Sequence, residues 1–301
     1  LTMPVILDGG LATELEARGH DLRDRLWSAR LLIEDPAAIE EVHLAYLRAG
    51  AQVATTASYQ ATIPGFAAAG LDRDAALGAI RRSVRLAARA RDRHADETGV
   101  DPASLLVAGS VGPYGAMLAD GSEYTGAYDP GTATLRDVHA PRIDALLEAG
   151  ADLLAMETIP TRREAEVLVT LLDEAGATGW LSYQCRDASL TAAGEPIEDA
   201  VRVADGVAGL VAVGVNCTAP RHVPGLLARA RAATDLPLIA YPNGGDAWDA
   251  VTRRWIPADT AGAFDPRAAA GWSALGAGWV GGCCGTGPAE IAAVVAAIGG
   301  S

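Results

Sequence analysis

Short apolar runs rich in Val, Leu, Ile and Ala recur along the chain, each followed by glycine or polar residues and then by a longer stretch with helical spacing. Eight of these runs read as strands, at 4–8, 51–56, 105–110, 152–157, 179–184, 210–216, 237–242 and 278–282. They are apolar almost throughout rather than alternating, as strands covered on both faces must be, so a parallel sheet is expected. Helices are expected at 37–49, 72–93, 135–148, 162–174, 219–232 and 288–298. Gly50, Gly150 and Gly176 follow Ala-Gly or Glu-Ala-Gly steps at helix ends, where glycine supplies a left-handed stop.

Eight alternations point to an α/β fold of the (β/α)8 TIM-barrel type. A doubly wound open sheet is the structural alternative, because alternation alone does not show closure. No Ser/Pro-rich linker or shift in composition divides the 301 residues, so residues 1–301 are expected to form a single barrel domain. The connections at 57–71, 111–132 and 243–264 are long and follow the second, third and seventh strands. In a barrel all three lie on the C-terminal rim, where long loops usually carry function.

Composition narrows the chemistry. Half the residues are hydrophobic and 21% are charged, which suits a globular chain with a sizeable core. No apolar stretch approaches the roughly 18 residues that span a bilayer, and the first residues show no basic segment followed by an apolar one, so a soluble, cytoplasmic protein without a membrane partner is expected. A formal net charge of -14 disfavours nucleic acid and modestly favours a cationic ligand. All 24 basic residues are arginine, which removes Schiff-base and phosphate-loop lysine chemistry. The five histidines are scattered and there is no G-x-S-x-G elbow, so hydrolase readings start weak.

Three of the four cysteines, Cys217, Cys283 and Cys284, directly follow the sixth and eighth predicted strands, in Gly-Val-Asn-Cys and Gly-Gly-Cys-Cys. In a closed barrel only the seventh strand separates those ends, so the three thiols can converge. Such a set suits zinc, with a fourth position left to water or substrate. A disulfide is the rival, although adjacent cysteines bridge each other only with strain. Spacing alone leaves both open. Cys185 reads as a small buried hydrophobe.

The segments Asp8-Gly-Gly-Leu-Ala-Thr-Glu-Leu, Gly-Val-Asn-Cys217 and Gly-Gly-Cys283-Cys284-Gly-Thr, in this order, resemble the homocysteine S-methyltransferase family from Leu7 to about Ile298. The stretches Thr55 to Thr62, Ser110 to Ala116, Leu118 to Gly126, Glu157-Thr158-Ile159-Pro160 and Tyr241-Pro242-Asn243 are most similar to the branch using S-methylmethionine or S-adenosylmethionine. The resemblance implies zinc on Cys217, Cys283 and Cys284, homocysteine sulfur as the fourth ligand, and Asp8 and Glu157 at its amino group. Departures from the family pattern fall at Gly244, often serine, and Gly287, commonly threonine. The chain stops just after its last helix, so neither a C-terminal extension nor cobalamin modules are expected.

The chemistry fits these residues. A free thiol is mostly protonated at neutral pH, whereas coordination to zinc deprotonates it, and three thiolates leave electron density on the bound sulfur. A sulfonium donor leaves as a neutral thioether and needs no general acid, so positioning and partial exclusion of water matter most. The long rim loops are candidates for a lid. Thr55 and Ser110 are candidate donors to the substrate carboxylate, and Asn216 and Tyr241 complete the candidate substrate set. Tyr59, Tyr114, Tyr124 and Tyr241 are candidates to face a cationic donor. Asp8 also reads as a plain turn signal; Glu157 also reads as a helix cap, with Thr158 and Pro160 better placed for that role. A different thiol acceptor is the nearest alternative, followed by a zinc hydrolase and a noncatalytic zinc or redox protein. A monomer is expected.

Overall fold

The computed structural model describes residues 3–300 apart from 23–25, 246, 250–253 and 257–262. Eight parallel strands form one sheet: β1 (Val5–Ile6), β2 (Val53–Thr55), β3 (Leu106–Val111), β4 (Leu153–Ile159), β5 (Gly179–Tyr183), β6 (Leu210–Asn216), β7 (Leu238–Tyr241) and, beyond a two-stranded antiparallel ribbon of β8 (Ala247–Asp249) and β9 (Arg254–Ile256), the last strand β10 (Ala277–Val280). Each expected run overlaps one of these strands, with β3, β4 and β10 reaching one or two residues beyond the expected bounds.

Closure decides between the barrel and the open sheet. The last strand pairs with the first, Val5 opposite Trp279 and Ile6 opposite Val280, which an open doubly wound order does not allow. The remaining seam, β1 against β2, has no full ladder. There the Gln52 N–H donates to the Ile6 carbonyl at 2.8 Å while the Gln52 Oε1 accepts the Ile6 N–H at 3.0 Å. A side-chain amide thus replaces a backbone carbonyl where β1 is only two residues long.

The expected helices appear at Pro36–Arg48, Arg73–Thr98, Thr132–Glu148, Arg162–Glu174, Val223–Arg231 and Pro288–Gly299. The second runs five residues beyond its expected end and stops at Gly99, while Gly50, Gly150 and Gly176 take φ of 100°, 91° and 58° as left-handed stops. Short helices at Leu11–Ala17, Ile197–Val201 and Ala268–Ala274 were not expected, because five to seven residues leave too few turns for a helical period to register. Among the described residues no helix is long and apolar enough to cross a membrane.

Two layers of apolar packing follow from buried parallel strands. One lies between sheet and helices; the other fills the barrel with Leu7, Val53, Ala108, Leu153, Ala155, Trp180, Ala212 and Ile239. Trp180 is fully buried and meets Tyr241 edge-on, with ring centroids 6.2 Å apart. Its indole N–H donates to the Tyr241 hydroxyl at 2.8 Å, so the filling of the barrel is also the floor of the rim.

The seam gives a test. Gln52→Ala removes one closing bond and is expected to cost about 1 kcal/mol in urea denaturation. A variant as stable as the intact protein would show that the seam is held elsewhere.

Candidate active site and metal centre

The sulfurs of Cys217, at the end of β6, and of Cys283 and Cys284, after β10, lie within 4.8 Å of one another. Sulfurs bound tetrahedrally to one zinc are about 3.8 Å apart, so the set can close on a single ion with small adjustments. All four cysteines are free thiols; Cys185 is buried away from the group, as expected of a small hydrophobe. Local backbone brings the three together. Cys217 adopts φ +45°, a left-handed conformation unusual outside glycine. Its N–H donates to the Tyr241 carbonyl at 3.1 Å, and the Cys283 N–H donates to the Pro242 carbonyl at 2.8 Å, so the end of β7 ties both loops. Gly244 donates its N–H to the Cys284 carbonyl at 2.6 Å, and a Cβ at Gly244 would stand 2.7 Å from the Gly285 carbonyl oxygen. The lack of a side chain at Gly244 therefore lets the two loops approach.

Three thiols this close share their protons. Hydrogen bonds from Cys217 and Cys283 hold Cys284 well below the ordinary thiol range. Cys217 is pushed up by its bonds to the other two sulfurs and by burial. Metal binding to such a set requires its thiols to give up their protons.

A cavity of about 90 Å³ opens beside the sulfurs. Asp8, Thr55, Tyr59, Ser110, Tyr124, Glu157, Tyr241 and the three cysteines line it, together with Ser28. Asp8 Oδ2 accepts the Thr55 N–H at 2.6 Å and Oδ1 accepts the Thr55 hydroxyl at 2.8 Å. Glu157 Oε1 accepts the Ser110 hydroxyl at 2.5 Å and Oε2 accepts the Tyr241 hydroxyl at 3.1 Å. Burial pushes the Asp8 carboxyl up to about 8 against its Thr55 bonds, and burial, with the nearby Cys283 charge, pushes Glu157 up to about 7.

The hydroxyls of Thr55 and Ser110, expected near a substrate carboxylate, donate to Asp8 and Glu157, since buried carboxylates need donors. Asn216 does not line the cavity. It is fully buried behind the wall, where Oδ1 accepts the Thr158 N–H at 2.7 Å and the Ser182 hydroxyl at 2.9 Å, while Nδ2 donates to Thr158 Oγ1 at 2.7 Å and faces Cys283 Sγ at 3.9 Å. That bonding holds Thr158 at φ +61°. The helix after β4 is capped by Thr161, which accepts the Glu164 N–H, and not by Thr158 or Pro160. Tyr114 stays off the cavity and packs on Tyr128, ring centroids 5.6 Å apart. Ser28, in the one-turn 3-10 helix Trp27–Arg30, was missed, since a lone serine in an irregular segment carries no sequence signal.

The fold and the site together define a barrel enzyme with a three-thiol cluster able to hold a metal ion on its C-terminal rim, beside paired buried carboxylates. Residues 5–298 match the S-methyl_trans family, homocysteine S-methyltransferase. Homocysteine S-methyltransferase of Escherichia coli is 48% identical over 97% of this chain and 94% of its own, and selenocysteine Se-methyltransferase of Brassica oleracea is 42% identical over 96% and 87%. The metallated form of the homocysteine methyltransferase MmuM from Escherichia coli superposes with a TM-score of 0.86 at 46% identity, covering 98% of this chain and 96% of that one. The chain belongs to the homocysteine S-methyltransferase family.

Both raised carboxyls make a pH prediction for metal-free protein. Folding favours their neutral forms, so the stability they contribute is full below the unfolded values, 3.8 for Asp8 and 4.5 for Glu157, and is lost as pH rises through about 8 for Asp8 and about 7 for Glu157. Glu157→Gln removes one of these losses. Relative to the intact protein it should gain on the order of 2 kcal/mol between pH 4.5 and pH 8 in denaturant melts. Parallel pH profiles would contradict the assignment.

Proposed function

We propose that the chain transfers a methyl group from a sulfonium donor, S-methylmethionine or S-adenosylmethionine, to the sulfur of homocysteine, giving methionine, with zinc as its metal. The observation that carries this reading is the meeting of three thiols and two buried carboxylates on one small cavity. Cys217, Cys283 and Cys284 would hold the metal, and an all-sulfur donor set suits zinc better than harder ions. When bound, zinc would keep the acceptor sulfur as a thiolate at neutral pH.

The remaining work falls to the chain's own residues. Asp8 and Glu157 are placed to receive the acceptor's ammonium group, and an arriving cation would draw both toward their ionised forms. Thr55, Ser110 and Tyr241 keep those carboxylates in place through the bonds described above, and Asn216 fixes the turn that carries Thr158. Tyr59 and Tyr124 offer aromatic faces to a sulfonium cation. Attack at the methyl carbon breaks the donor's carbon–sulfur bond, and the electron pair stays with the departing neutral thioether. No proton has to be supplied to that leaving group, and no histidine is among the residues lining the cavity.

A selenol acceptor is the second reading, favoured by the 42% identity to the Brassica oleracea selenocysteine Se-methyltransferase. Selenocysteine assayed beside homocysteine separates the two by kcat/KM.

The variants Cys217→Ala and Cys283→Ala, if folded, should lose both bound zinc and methionine formation. Asp8→Asn should keep zinc while the KM for homocysteine rises roughly ten- to hundredfold, as expected when a charged hydrogen-bond partner is removed. Full activity in a zinc-free cysteine variant would refute the metal's role. Stoichiometric zinc without transfer from either sulfonium would sink the assigned donor.

A further inference from the structure

Behind the aromatic wall of the cavity lies a carboxylate that no step above uses. Glu123 belongs to the one-turn 3-10 helix Ser122–Tyr124 in the loop after β3 and is only 5% exposed. Its Oε2 has no hydrogen-bond partner, and among the described residues no cationic side chain pairs with it. Its own backbone N–H eases the charge, while Asp120 on the same loop adds a second negative one. Burial pushes the Glu123 carboxyl up to about 7. The neighbours that feel its charge include Tyr59 and Tyr124, both in the cavity wall.

Glu123 sits in a closely packed loop. A Cβ at Gly112 would lie 2.6 Å from the Tyr59 ring, and one at Gly115 would lie 2.6 Å from the Glu123 nitrogen, so the loop packs without slack. It is braced from beneath by a buried cluster. Glu164 accepts the Tyr114 N–H at 2.5 Å and the Tyr128 hydroxyl at 2.5 Å and meets His139 Nε2 at 2.7 Å, while the buried Arg142 donates to the Gly112 carbonyl. An unpaired carboxylate held out of water costs free energy that a passing cation would recover.

We infer that Glu123 selects a cationic sulfonium donor over a neutral thioether, acting through space across Tyr59 and Tyr124. The inference rests on the sulfonium-donor reading and deepens it: charge, not only shape, discriminates donor from demethylated product. A field of this kind favours the charged ligand and leaves its neutral counterpart indifferent, whereas a purely structural role would affect both alike.

The test compares, at saturating homocysteine, the KM for S-methylmethionine with the inhibition constant of methionine against it. In Glu123→Gln the KM for S-methylmethionine should rise roughly tenfold, as loss of a desolvated cation partner predicts, while methionine inhibition, the KM for homocysteine and zinc content stay within about twofold. Glu123→Asp keeps the charge and should retain most of the preference, which also covers the case in which the glutamine variant does not fold. Glu164→Gln, by loosening the loop, should weaken both ligands together. If Glu123→Gln weakens both ligands equally, or leaves the preference unchanged, the role of Glu123 is overturned while the donor reading stands. No methyl transfer from any sulfonium by the intact protein would instead overturn the donor reading and this role with it.

Discussion

The structure turns on the convergence of three thiols from two strand ends that only one strand separates. β6 delivers Cys217 and β10 delivers Cys283 and Cys284, with β7 between them. These three strands are neighbours in one parallel sheet, so their C-terminal ends share a rim, and the pairing of the last strand with the first brings Asp8, which follows β1, to the same rim. The local cost is visible in the backbone, where Cys217 and Thr158 both take positive φ, conformations that cost about 1–3 kcal/mol each for residues with side chains. Asn216 offsets part of it, because all four of its amide hydrogen-bonding positions are used on Thr158, Ser182 and Cys283.

The second constraint is charge. Asp8, Glu157 and Glu123 are buried near one cavity, and no arginine forms an ion pair with any of them among the described residues. Hydroxyls and backbone N–H groups satisfy Asp8 and Glu157 only in part, so all three carboxyls sit well above their ordinary range. A site of this kind is preorganised for cations, which suits the ammonium and sulfonium groups of the proposed substrates. The chain's overall charge of -14 has the same sign as its cavity.

Much of this was legible in the sequence, for physical reasons. Strands covered on both faces must be apolar throughout, so 210–216 announces β6 with the residues that form it, and chain order then places Cys217 one strand away from Cys283 and Cys284. What failed to show was anything settled by side chains meeting across the fold. The β1–β2 seam depends on Gln52, an unremarkable polar residue in the sequence. The bonds of Thr55 and Ser110 to Asp8 and Glu157, and the burial of Asn216 behind the cavity wall, leave no mark in the sequence. The ribbon Ala247–Asp249 with Arg254–Ile256 lies in what reads as a long loop, and part of that connection, 250–253 and 257–262, falls outside the described residues.

The most direct test of the account is zinc-edge X-ray absorption of the zinc-loaded protein before and after homocysteine is added. The account predicts a sulfur count that rises from three to four at about 2.3 Å. A count unchanged at three under conditions where methionine still forms would contradict it, since the acceptor's sulfur would then react without joining the three cysteines.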